Sequence, residues 1–592
     1  FVSASQVNRV NVFDPANRRA APETIIIAGE DPRMLAASPD GQTVYAAIFE
    51  SGNGTTTVAG GKSLPRIDDV VANPLSPYGG QTVIPNNGNS FVPALNPANP
   101  TPPPVSMIVR KQDDGSWLDD NGGDWSRFVT GDLAAQADRV PGWDLPDRDV
   151  AVIDTASLDV SYQRNLMNMV MAVAVNPATA EVTAVGTEAI NEVRFEPVLN
   201  GRFLRVNYAS FTPGGEAQIE DLNPHLDYSV SSVPQSTRDL SIGDPRSIAW
   251  RADGQQALVA GMGSNNLLVI GRSGNVVDRI EVGEGPTGVA INEGRGRAFV
   301  LNRFDGSISV VDLGTNDVVD TVTYFDPTPG SVSAGREFLY DTHTTSGLGH
   351  VSCASCHVDA RTDRLAWDLG NPAGEMETRV DNSGQEWQFH PMKGPMKTQT
   401  LQDIIGSPSL HHRGDRDDLF GFADAFPNLQ GDDAPLDTAS MTDYEAYLDT
   451  IHFPPNPNRN IDNSFATSVP IQGPNSGVQR VGNAEAGLTD ASHCLSCHNN
   501  QRGRSDTREA NGLHDDQPAI AEALGGFYDR MGFFWDDPDG STSGFGFRTD
   551  GSQDSTFREE GTTANHIAFF LSWEGPKPGL SGISRDSHAG VG

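Results

Sequence analysis

Three segments of this chain begin alike. Asp31-Pro32-Arg33-Met34-Leu35-Ala36-Ala37-Ser38-Pro39-Asp40-Gly41 returns as Asp244-Pro245-Arg246-Ser247-Ile248-Ala249-Trp250-Arg251-Ala252-Asp253-Gly254. Gly285-Pro286-Thr287-Gly288-Val289-Ala290-Ile291-Asn292 opens the same way about 40 residues further on. Each opening runs into a strand-like stretch: Gln42–Ala47, Gln256–Ala260 or Arg297–Leu301. A further strand follows in Asn266–Ile270 and Ser307–Asp312, and Asp149–Asp154 has the same character. A unit of this length with four short strands and Asp-Gly or Asn-rich turns cannot bury both its faces alone. Repeated around an axis it can, and the pattern therefore predicts β-propeller blades. Dividing residues 1–330 by the period, with one insertion allowed, predicts about seven blades. Val7–Phe13 is expected to complete the last blade and close the ring.

The repeat is interrupted at about 52–148. This stretch is rich in Asn-Pro pairs (Asn73-Pro74, Asn96-Pro97, Asn99-Pro100) and contains Pro102-Pro103-Pro104, so it reads as a solvated loop. The alternative is a flap that covers one mouth of the propeller or touches the C-terminal half. Near Thr328-Pro329-Gly330 the pattern changes to helices and loops, beginning with Ser333–Asp341. The expected organisation is multidomain: an all-β propeller over 1–330, then a mostly α region in two lobes, 331–480 and 481–592.

Cysteine use is economical. The chain has 4 cysteines, and all lie in two C-x-x-C-H units, Cys353-Ala354-Ser355-Cys356-His357 and Cys494-Leu495-Ser496-Cys497-His498. Two thiols three residues apart on one turn can each form a thioether to a haem vinyl group. The following His then lies under the iron as proximal ligand. A four-thiolate zinc site does not require His at the same offset twice, and its paired knuckles are usually closer together. A redox dithiol has no use for that His at all. Two covalent haem c groups are therefore expected, with Cys353, Cys356, His357, Cys494, Cys497 and His498 holding them. Haem of this type is attached outside the cytoplasm, which implies the periplasm or cell surface. Phe1 opens neither a basic n-region nor an apolar h-region, so a signal peptide would already be removed.

Charge and hydropathy narrow the partners. The formal net charge is -37, which repels nucleic acid and anionic lipid and suits solubility first, or steering of a basic redox partner second. No run of 18 apolar residues exists, so no membrane-spanning segment is expected.

Two resemblances add to this reading. The Val-Ala-Ile-Asn and Ser-Val-Val-Asp segments of the repeats resemble YVTN-type propeller repeats of exported bacterial proteins. Gly335-Arg336-Glu337-Phe338-Leu339-Tyr340-Asp341 followed by Val351–His357 resembles the first haem segment of the bacterial di-haem cytochrome c peroxidase superfamily, over roughly 331–575. His390-Pro391-Met392-Lys393-Gly394-Pro395-Met396 and Pro454–Arg459 are similar to strings in exported propeller–di-haem fusions. The resemblance implies a redox enzyme in which one haem stores an electron and the other handles peroxide or oxygen. The alternative is an electron-transfer protein with two six-coordinate haems and the propeller as docking platform. A third reading is a surface-binding propeller that tethers the cytochrome.

Axial ligation separates the first two readings. For the first haem the candidate sixth ligands are His390, Met392, Met396, His411 and His412. Ser409–Arg416 stands where the family carries an inter-haem Trp. His or Arg falls at that place here, so a Trp relay is not expected. His411, His412 and Arg416 are instead candidate acid–base and cationic groups, against the plainer reading that the arginines pair with propionates or with Asp415, Asp417 and Asp418. For the second haem the family's Met or Tyr before an Asp-Gly turn is missing from Gly544–Ser552. Met531 is the replacement, with His514 and His566 behind it, or the position is open. The family also holds calcium between its lobes. Asp462, Asn463, Asp490, Asn499 and Asn500 are the residues that would supply it, or they are simply solvated.

Overall fold

The computed structural model describes residues 1–61, 69–137, 139, 141–145, 147–380, 384–406, 409–471, 480–490, 509–514, 517–521, 523–525, 544–546, 548–552 and 564–573. Along 1–323, outside the insertion, five antiparallel sheets succeed one another. The first has three strands, Val2–Ala4, Arg9–Val12 and Glu23–Ile26. The second comprises Glu30–Ala37, Thr43–Glu50, Val150–Asp154 and Val160–Gln163. The third comprises Met169–Val175, Val182–Ala189, Leu204–Phe211 and Gln218–Asp221. The fourth is Pro245–Trp250, Gln256–Gly261, Asn266–Gly271 and Val276–Glu281, and the fifth Pro286–Asn292, Arg297–Asn302, Ser307–Asp312 and Val318–Thr323. The first strand of each sheet packs against the first strand of the next. This is the blade arrangement of a β-propeller.

The repeated openings have a local cause. Asp31, Asp244 and Gly285 share the left-handed backbone region, with φ of 58°, 48° and 63°. Gly enters that region freely and Asp tolerates it. A Pro follows each time and fixes the next φ. Pairing with the second strand then slips between Pro32 and Leu35, Pro245 and Ser247, and Pro286 and Gly288. The third sheet has the same bulge between Val170 and Ala172, without the Pro. Second strands such as Thr43–Glu50 are buried on both faces and read as nearly continuous apolar runs.

Three expectations are corrected. The blade sheets over 1–323 number five among the described residues rather than about seven, because the insertion takes up a length that the repeat count assigned to blades. Val7–Phe13 does not complete the last blade: Arg9–Val12 is the middle strand of a separate first sheet. Among the described residues, then, no strand of this first sheet pairs with one of the last, and both end sheets expose apolar side chains. On the last blade the cross-strand row Leu301–Ile308–Val322 is open, with Leu301 39% and Val322 50% exposed. On the first, Val2 is 53% and Ile26 47% exposed.

The insertion is likewise not a solvated loop. Thr55–Val58, Met107–Lys111 and Trp117–Leu118 form a three-stranded sheet over a core of Val58, Val71, Met107, Trp117, Trp125, Phe128 and Trp143. Trp125 Nε1 donates to Asp119 at 2.7 Å. Buried Arg194 of the third blade's connection binds Asp120 at 2.7 Å and the carbonyls of Ile84 and Pro85, which ties the insertion to the propeller. The insertion also meets the C-terminal half: Thr56 donates to the Gly544 carbonyl, Ser106 to Asp550, and Asn96 and Asn99 to Gly374. Asp550-Gly551, the turn read from sequence as part of the second haem's surroundings, is thus held by the insertion.

Beyond residue 330 the described chain is mostly loops and two-stranded ribbons, not mostly helix. Gly-, Pro- and Asp-rich stretches there do not sustain long helices. Gly330–Tyr340 crosses Thr438–Leu448 at close range; a Cβ at Gly335 would lie 1.9 Å from the Asp443 carbonyl oxygen. Around this pair Leu339, Ala354, Ala360, Leu419, Phe426, Met441 and Leu448 form a small core that includes the first C-x-x-C-H segment. Among the described residues no helix is long and apolar enough to cross a membrane.

Candidate functional site

The first motif is a single capped turn. Ser352 and Ser355 cap each other reciprocally around Cys353–Ser355, and the His357 amide donates to the Cys353 carbonyl at 2.9 Å. Cys353 lies against the Leu339–Tyr444 core, with Gln430 Nε2 3.5 Å from its Sγ. Cys356 packs on a second core with Val351, Leu365 and Trp367. Burial raises both thiols above their ordinary range, and the Asp363 carboxylate adds to this at Cys356. Both sulfurs are therefore neutral thiols at neutral pH. A thiol of this kind can add across a vinyl group.

His357 is set up as a ligand. Its Nδ1 lies 2.7 Å from the Gln399 carbonyl oxygen. A carbonyl only accepts, so Nδ1 carries the proton and Nε2 the lone pair. Burial pulls the imidazole down to about 4, so it is uncharged at neutral pH. A ring nitrogen given to a backbone carbonyl, with the other left as the basic one, is the arrangement that orients a metal-binding His. These features fit a proximal haem ligand.

The remaining candidates are placed as follows. His390 is buried, accepts from the Met392 amide at Nδ1 (3.0 Å) and donates from Nε2 to the Pro100 carbonyl (3.2 Å). Both its nitrogens are thus held by backbone, one of them by the insertion. Met392 lines a small cavity with Ile84, Pro102, Met107 and Arg194. Met396 lies in a two-residue strand opposite Trp367. His412 donates from Nε2 to the Lys397 carbonyl (2.8 Å) and accepts at Nδ1 from the Gln399 amide (3.2 Å). Gln399 therefore joins His357 to His412. His411 donates from Nδ1 to Asp415 (2.7 Å) and stands edge-on to Phe422; Asp415 also takes Arg413 at 3.0 Å. Arg416 is held by Glu377 at 3.0 Å and by the Gly421 carbonyl. Cys494, Cys497, His498 and Met531 lie outside the described residues, as do Asn499 and Asn500. Asp462 accepts from Ser464 in its own turn, and among the described residues no three His, Cys, Asp or Glu side chains gather to hold a metal ion.

Sequence reasoning missed several groups around the motif. Gln399, Gln430 and Tyr444 carry no signal in their local sequence. Asp363 is buried, takes Trp367 Nε1 at 2.8 Å, and is raised to about 7 chiefly by burial. Asp359, two residues after His357, is met by Arg33 at 2.6 Å and Arg246 at 2.9 Å. Beside this group Glu30 is buried and pushed up to about 7 by desolvation. A carboxyl whose pKa rises on folding stabilises the folded state most below its unfolded value, and that contribution is lost as pH climbs through 7. By linkage the loss amounts to roughly 3 kcal/mol across the window. Glu30→Gln should accordingly flatten the fall in Tm between about pH 5 and 8. An unchanged pH profile in thermal unfolding would contradict it.

No family model and no curated protein matches this chain. Solved structures similar to part of it include hydrazine synthase of Kuenenia stuttgartiensis, 14% identical over 52% of this chain and 78% of that one, with a TM-score of 0.27. A periplasmic gluconolactonase of Pseudomonas aeruginosa is 11% identical over 54% of this chain and 65% of that one, TM-score 0.28. The Cps50 (Swd1) β-propeller domain of Myceliophteria thermophila is 10% identical over 51% and 59%, TM-score 0.26.

Proposed function

We propose that this chain is an exported di-haem c-type cytochrome with peroxidase-like redox activity, carrying one haem on Cys353, Cys356 and His357 and a second on Cys494, Cys497 and His498. The observation that carries the reading is the His357 imidazole, neutral and protonated at Nδ1 by its bond to Gln399, directly after two neutral thiols on one turn. A bound haem c supplies a one-electron couple and, where its sixth position is open, a place for peroxide. The residues hold and orient. Gln399 fixes the His357 ring and, through its side chain, His412. Asp415 holds His411 in one tautomer, the pairing by which an imidazole can take or give a proton at Nε2. A basic redox partner protein fits the acidic surface.

Electron transfer alone is the second reading, and a specific observation favours it. His412 has both ring nitrogens bonded and Arg416 is paired with Glu377. Absorption and EPR spectra of the oxidised and half-reduced protein, with and without peroxide, separate the two. A high-spin ferric signal or a rapid spectral change on adding peroxide is the expected result. Two low-spin haems that ignore peroxide in both states would leave electron transfer only.

A further inference from the structure

The two Asp-Pro-Arg openings converge on one carboxylate. In the second blade, Asp31 binds the Arg33 guanidinium at 2.7 Å; in the fourth, Asp244 binds Arg246 at 2.6 Å. Each arginine then takes a different oxygen of Asp359, Arg33 Nη1 on Oδ2 and Arg246 Nη2 on Oδ1. Both guanidiniums face the ring of Phe49, at 3.4 and 5.3 Å from its centroid. Phe49 packs with Met169, Met171 and Val358, the residue between His357 and Asp359. Arg33, Met171 and Arg246 occupy the bulge of their blades' first strands, so the bulge delivers each side chain to the same place. In the fifth blade Thr287 stands there, without charge or partner Asp.

The segment so gripped is conformationally demanding. Asp359 and Ala360 are consecutive left-handed residues, with φ of 54° and 59°. Such a pair persists only where surrounding contacts hold it. The following residues add to the hold: Arg361 reaches Asp31 at 2.7 Å and Arg364 reaches Glu50 at 2.6 Å.

We infer that the Asp-Pro-Arg openings of two propeller blades form a clamp on Asp359 that positions the His357 segment and tunes the potential of the haem attached there. This rests on the haem assignment above. The propeller is then a built-in electrostatic support for the first haem, and Arg33, Arg246 and Asp359 are positioning residues. The charges act in a half-buried setting, where screening by solvent and salt is weaker than at an open surface.

The test is potentiometric titration of the full-length holoprotein, with the second haem as internal reference. Asp359→Asn removes a negative charge and leaves two arginines, so the first haem should become easier to reduce. Arg33→Gln with Arg246→Gln leaves the carboxylate uncompensated and should shift the same haem the opposite way. Arg33→Lys with Arg246→Lys keeps the charge and should restore most of the wild-type potential, and it serves if the Gln pair does not fold. Arg251→Gln, at the surface pair with Glu293, should change nothing. Shifts of one sign for both charge changes, equal shifts of both haems, or no shift would overturn the clamp as a tuning device. Failure of the haem reading itself would look different: the wild-type Cys353–His357 peptide would carry no haem mass.

Discussion

Serine at both Cys353 and Cys356 should cut the covalently bound haem to about half, with the remaining haem still on the Cys494 motif. Haem-stained denaturing gels and peptide masses check this. The two sulfurs lie on one turn, half-buried against separate cores, and desolvation there raises both thiols above their ordinary range. Serine keeps the turn and its cap but cannot add to a vinyl group, so the loss is chemical rather than structural. Cys356→Ser alone should leave one thioether and shift the reduced α-band of that haem. A wild-type chain that releases all its haem into acidic organic solvent would sink the covalent assignment.

Trp125→Ala should destabilise the insertion by about 3–5 kcal/mol, the usual cost of deleting a fully buried Trp. Trp125 packs in one core with Trp117, Phe128 and Trp143 and gives its indole N–H to Asp119. The substitution opens a cavity and leaves that buried carboxylate short of a donor. Because the insertion is bonded to the third blade through Arg194 and to Gly544 and Asp550, the loss should appear as an early unfolding transition and as new protease cuts within 69–145. Unchanged denaturation and cutting would mean that the segment is the solvated loop its composition suggests.

The folded module of the insertion leaves little trace in the sequence. Its apolar residues are scattered between Asn-Pro and Gly-rich turns, so neither a period of two nor of 3.6 emerges. The core forms only when Val58, Met107 and Trp143 are brought together across gaps that no local window spans. The blade count failed for a related reason. Period divides length correctly only where every residue belongs to the repeat, and nothing in the pattern reports the folded module within it. The same applies to His390. In sequence it is a ligand candidate on a loop, and only the arrival of Pro100 from the insertion commits its Nε2 to a backbone carbonyl.

What the amino-acid sequence determined by itself was whatever depends on near neighbours. Left-handed Asp or Gly before Pro precedes the bulge in three of the blades, and short apolar runs between turn residues make the strands. C-x-x-C-H sets two thiols and an imidazole on one turn. Tertiary structure alone decided how many blades there are, that both end sheets expose apolar side chains, and which partners the motif receives. Gln399 reaches His357 from 42 positions away, and Arg33 reaches Asp359 from 326. Short-range sterics and hydrogen bonding act through spacing along the chain and can be read there. Contacts across such separations are selected by the packing of whole elements, and so they exist only once the fold does.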